Sequence, residues 1–297
     1  MKTFDIASSR LAAVLMPELG GRIVALRLTD DPKAPHDVFM PLVGEPRLPP
    51  GWPKAGAYPL APYSNRIANA NLTFRGATHV LPPHPDAAPH TVHGHAHRKP
   101  WTLAEIGADS ATLTYAHDGT GEWPWRFVVE QRIALSGARL TVAFTITNRD
   151  ARPSPAGFGW HPYFPIKGSP RIDFTAGTCW DQTPDNVATG KVDRRSPANA
   201  PVDLDPHGTT LYFGDWNGLC EFATGTGLKI RIQADPVFAH LVLHRPAGID
   251  YICVEPVSHV ADGFNLAARG IAATGTHALD PGESISGKVT MDVTPAA

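Results

Sequence analysis

The sequence predicts an all-β protein, a large antiparallel β-sandwich of one domain over residues 1–297 with little helix. Three observations predict it. Apolar residues recur at every second position in many short segments. Those segments are separated by turn residues, which 27 glycines and 30 prolines supply in abundance. No strand–helix–strand rhythm and no change of composition interrupts the pattern, which disfavours a parallel sheet and a second domain.

Taken along the chain, strands are expected at 12–16 and 22–28, then at 111–116. Phe127, Val129, Gln131, Ile133 and Leu135 share a face, as do Leu140, Val142, Phe144 and Ile146. Ser136-Gly137-Ala138 between them reads as a hairpin turn. Further strands are expected at 219–223, 228–233, 239–244, 249–255 and 284–293, with Thr224-Gly225-Thr226-Gly227 as another turn. The best helix is a short one at 264–268. Long loops are expected at 30–54, 80–89 and 181–208, where proline, glycine and polar residues concentrate. The concave face of such a sandwich is the natural place for a ligand groove.

Composition narrows the function. A formal net charge of -2 and the lack of a basic stripe argue against nucleic acid and against an anionic membrane. The early apolar run 11–16 is too short to span a bilayer, and no export signal accompanies it. Cys179, Cys220 and Cys253 are widely spaced, which indicates neither a disulfide framework nor a thiolate metal site. A reducing, cytoplasmic setting follows by default.

Four segments could carry chemistry. Gly157-Phe158-Gly159-Trp160-His161-Pro162-Tyr163-Phe164 sets an imidazole among aromatic rings and stiffening prolines. Such a histidine suits a positioned general acid, or a core histidine in an aromatic turn. Glu255 ends an apolar strand before Pro256, where partial desolvation would raise its basicity; an exposed strand-end carboxylate is the alternative. Asn65 and Arg66, after Tyr58-Pro59-Leu60, offer donors for hydroxyl recognition or for a structural salt bridge. Six histidines lie between His79 and His97. His93, His95 and His97 would share one face of an extended segment, although Gly94 fits a bent loop better. Metal binding, sugar binding and a solvated turn are all open for this cluster, but no carboxylate or thiolate has ligand spacing for zinc.

Together these segments resemble the aldose 1-epimerase (galactose mutarotase) family. The matching pieces are Gly20-Gly21-Arg22-Ile23, Pro62-Tyr63-Ser64-Asn65-Arg66-Ile67, His93-Gly94 with Trp101, Gly159 to Phe164, and Cys253 to His259. They cover nearly the whole chain in order. The resemblance implies a sandwich of the galactose mutarotase type, interconversion of the α and β anomers of a free sugar, and neither cofactor nor metal. It implies Glu255 as general base, His161 as general acid, and Arg66, His93 and Asn65 as holders of sugar oxygens. Acid and base would stand on opposite sides of C1–O5, about a ring's width apart. The family's hydroxyl-binding aspartate falls on a threonine within Thr209 to Trp216, with Asp215 close enough in sequence to substitute.

The competing readings are a mutarotase of a phosphorylated or otherwise anionic sugar, with charge from Arg98, Lys99 or Arg245, and a non-catalytic sugar-binding protein. A glycoside-cleaving enzyme would need two flanking carboxylates, and only Glu255 stands out. The expected partner is a small-molecule sugar, with no nucleic acid or membrane, in a monomer or homodimer.

Overall fold

Period-two alternation folds into two large antiparallel sheets. A computed structural model describes residues 1–31, 33–44, 53–199 and 201–296 of the chain. Among the described residues one sheet has nine strands, and its centre is Arg126–Ser136, Arg139–Asn148 and Ser284–Pro295. These strands alternate buried and less buried positions almost perfectly, as a sheet with one face on the core requires. Ser136 pairs with Arg139, so the hairpin loop is Gly137-Ala138, with Gly137 at φ 56°.

The second sheet has eleven strands. Its middle runs Arg22–Leu28, Ala57–Leu60, Gly159–Pro165, Tyr251–Val257, His240–Arg245, Thr209–Gly214. Here alternation fails, because both faces are covered. Every residue of Tyr251–Val257 is buried, as are six of the seven in Gly159–Pro165. Trp160, Phe164, Ile252 and Val254 point into the core between the sheets. Burying side chains of this size is worth roughly 2 kcal/mol each. Tyr58, Tyr163 and Cys253 point the other way, toward the covering loops.

The one α-helix among the described residues, Gly263–Ala268, lies where the sequence places it. The expected 181–208 loop is interrupted by two edge strands, Ala188–Val192 and Val202–Asp203. Both are short and polar, so no alternation announces them. The 30–54 loop includes a two-residue strand, His36–Asp37, and its stretch 45–52 lies outside the described residues. Gly159–Pro165 is a full strand and not an aromatic turn. Pro162 hides it from sequence reasoning, since proline is rare inside sheets.

Candidate active site

Strand register builds the floor of a groove. Residues directly opposite on antiparallel strands share a face. Val242 pairs with Glu255, His161 pairs with Tyr58, and the Gly159–Val257 and Tyr163–Cys253 pairs set the register that brings His161 opposite Glu255. One row across the sheet is therefore Tyr212, Val242, Glu255, His161 and Tyr58. The next row is Thr210, His244, Cys253 and Tyr163. The groove above them holds about 280 Å³, of the order of a single small ligand.

Glu255 and His161 meet in this floor, with Nε2 3.5 Å from Oε1. Both are almost fully buried, at 3% and 5% exposure. Stacking fixes the imidazole: the rings of Tyr58 and Tyr163 each lie 4.7 Å from it, tilted by 21° and 26°. His93 meets it edge-on at 5.1 Å. Burial pushes the Glu255 carboxyl up to about 8, against the opposing pull of Arg66. Burial also drives His161 well below the usual histidine value, helped by His93, His244, Lys54 and Arg22. Both shifts favour the neutral forms, a protonated carboxyl beside a neutral imidazole. The two groups are also adjacent, not a ring's width apart. O1 and O5 are both bonded to C1, so groups that serve them belong side by side.

One wall comes from two clasped loops. Arg66 pairs with Val92 in a two-residue ladder. The His93 N–H donates to Asn65 O at 2.9 Å, and the Asn65 N–H donates to His93 Nδ1 at 3.2 Å. With Nδ1 accepting, the proton of neutral His93 sits on Nε2. Asn65 and His93 both have left-handed backbone, at φ 53° and 64°. Gly94 follows at φ 64°, and a Cβ there would lie 2.1 Å from Ala61 O. Tyr212 supports the clasp with its one hydroxyl proton shared between Asn65 Oδ1 at 3.2 Å and Asn186 O at 2.9 Å.

The histidine-rich segment is thus bent. His93 lines the groove, whereas His95 turns away to bond His117 at 2.9 Å. His97 stacks on Tyr58 beneath the site at 5.2 Å. Several ring nitrogens accept backbone N–H groups: His84 Nδ1 from Asp86, His90 Nδ1 from Asn69, and His259 Nε2 from Ser64.

Five of the six site candidates, Glu255, His161, Arg66, His93 and Asn65, line one groove. Asp215 does not. It is exposed in a left-handed turn after Thr209–Gly214, at the far end of that strand from Thr210. Five residues of strand carry it roughly 16 Å away. Thr210 occupies the groove instead, bonded to His244 at 2.9 Å. Sequence reasoning missed His244, although it shares a strand face with Val242. The cations named for an anionic sugar are also engaged elsewhere. Arg98 and Lys99 face Glu122, and Arg245 donates to Ser169, Leu204 and Gly168. The cations that line the groove are Arg66 and Lys54, with Asp86 at the same rim.

A metal could be held only where ligand atoms cluster. Among the described residues, one trio meets that condition: His161, Cys253 and Glu255.

The aldose 1-epimerase family profile matches residues 2–292. The chain belongs to the aldose 1-epimerase family. It is 29% identical over 251 residues to the uncharacterized protein YphB of Escherichia coli, spanning 80% of this chain and 84% of that one. Its fold is similar to a galactose mutarotase-like protein from Clostridium acetobutylicum, with TM-score 0.82 and 19% identity over 99% and 95% of the two chains. It is equally similar to the GalM/aldose epimerase homologue from C. elegans, with TM-score 0.82 and 15% identity over 100% and 99%. Family membership places the chain among epimerases, and the fold is that of the galactose mutarotases. Among the described residues, no helix is long and apolar enough to cross a membrane.

Proposed function

We propose that this chain interconverts the α and β anomers of a free sugar by proton transfer through Glu255 and His161. The observation that carries this reading is the buried contact of one carboxyl and one imidazole on a groove floor, 3.5 Å apart. Ring opening needs a proton taken from the C1 hydroxyl and one delivered to O5. Rotation about C1–C2 then presents the other carbonyl face, and reclosure reverses the transfers. Glu255 is the base and His161 the acid in the productive tautomer, which the pair reaches by moving its own proton from carboxyl to imidazole. Arg66, Asn65 and the Nε2–H of His93 hold the sugar oxygens. A protein that merely bound sugar would have no use for this pair.

Anomer exchange followed by NMR over a panel of neutral, acidic and phosphorylated sugars tests the reading. Glu255→Gln and His161→Asn are each expected to slow exchange by about 10²-fold or more, with the fold intact by circular dichroism. Near wild-type rates in both variants would overturn it in favour of the sugar-binding alternative.

A further inference from the structure

We propose that the groove floor is also a site for one thiophilic divalent cation, zinc or cadmium, held by His161, Cys253 and Glu255, and that the bound cation excludes the sugar. Cys253 and Glu255 are two residues apart on one strand, so both face the groove side, and His161 stands across from Glu255. Their ligand atoms all lie within 4.8 Å of one another. A tetrahedral zinc with bonds of about 2.0–2.3 Å sets its ligand atoms roughly 3.3–3.7 Å apart. The His161–Glu255 edge, at 3.5 Å, already has that length. The sulfur edges need to close by no more than about 1.5 Å to reach the same geometry.

Two further observations point to a ligand. Glu255 Oε2 is buried without a hydrogen-bond partner, so the carboxyl has an unused acceptor. The charge also balances. A dication, one thiolate, one carboxylate and a neutral imidazole sum to zero, which a buried site tolerates far better than a lone thiolate. Binding displaces the proton of the Cys253 thiol, so affinity rises with pH. An imidazole, a thiolate and a carboxylate favour zinc or cadmium over magnesium or calcium. A cation on this trio takes up Glu255 and His161, the two groove-lining groups that the reacting end of a sugar would need.

The binding claim stands on geometry, and only the exclusion of sugar rests on the proposed mutarotation. The full-length protein, stripped with chelator, is titrated with cadmium while thiolate-to-metal charge-transfer absorbance is recorded. One equivalent per chain is expected, with the absorbance abolished in Cys253→Ala and Cys253→Ser and affinity lowered at least about tenfold in Glu255→Gln. Zinc should slow anomer exchange in the wild type, chelator should restore it, and Cys253→Ala should be at least about tenfold less sensitive. No absorbance in the wild type, or absorbance that survives loss of Cys253, would overturn the site. Wild-type affinity in Glu255→Gln would also do so. A failure of anomer exchange would count against the mutarotase reading alone, because the absorbance needs no turnover.

Discussion

On the proposed mechanism one transferable proton is shared by Glu255 and His161, and its location decides how activity follows pH. The two tautomers of the pair hold the same number of protons, so one titration curve serves both. Activity is lost when the pair gives up its proton, on the alkaline side, or takes a second, on the acid side. Glu255 is raised to about 8 and His161 is well below 6.5. Exchange by the metal-free protein should therefore hold steady from pH 7 down through pH 6 and fall as pH rises past about 8. A bell centred below neutrality, with its alkaline limb near 6.5, would contradict this. Burial of Glu255 also bears on stability. Its folded value lies above its ordinary one, so the stabilising balance is full below about 4.5 and lost as pH rises through about 8. Glu255→Gln should gain on the wild type by up to about 1.4 kcal/mol per pH unit across that window, read as a widening gap in Tm. At this scale the sequence was generous. The motifs carrying His161, Glu255, Arg66, His93 and Asn65 were visible as residues. Their protonation was not, because burial from both faces is a property of the assembled sheet.

Strands and loops contribute different things to the site. The strands deliver Glu255 and His161 through register, and a one-residue slip would turn both away from the groove. The loops deliver Asn65, Arg66 and His93 through a clasp that depends on left-handed backbone. Gly94 is the position where that clasp has no slack. Gly94→Ala places a methyl 2.1 Å from Ala61 O at φ 64°. The 61–66 and 92–94 segments must then part, at a cost of about 1–3 kcal/mol. The expected result is a lower Tm and a raised KM, with kcat lowered less, because Glu255 and His161 stay on their strands. An unchanged KM would show that the clasp does not shape the groove. Strands with one solvent-facing side, such as Arg139–Asn148, were legible from alternation. Gly159–Pro165 was not, since Pro162 and burial of both faces erase the signal. Asp215 misled for a related reason: closeness in sequence along an extended strand is distance in space.

Over the whole molecule, buried neutral histidines make the fold sensitive to acid. Burial lowers His84, His240 and His244 to about 4 and His259 to about 3. Each folded value lies below the unfolded one of about 6.5. Their contribution is therefore present above pH 6.5 and lost as pH falls through 4. By pH 4 His240 and His259 alone cost on the order of 3 kcal/mol each, against a typical total of about 5–15 kcal/mol. The nitrogens of His84, His93 and His259 that hold backbone N–H groups would also surrender those bonds on protonation. Unfolding should thus be cooperative between about pH 6 and 4, with Tm falling steeply over that range. A Tm that is flat from pH 7 to 4 would refute it. The two-sheet architecture was legible from alternation and turn residues, whereas the work of the histidines was not. Six of them in one short stretch left ligand binding and a solvated turn both open, and three, His84, His90 and His93, prove to anchor the chain's own loops.

The division between floor and clasp has a consequence for how such a protein can change. The reagents are set by the pairing of sheet strands, and the readers by a pair of short loops tied to each other. If the proposed roles hold, replacing the loops leaves the reagents in place, so a lineage or an engineer could exchange one sugar for another without rebuilding the reaction. The histidine anchors set the terms of that exchange. A new loop has to bring its own anchor, or inherit one, before it can offer a new hand to the substrate.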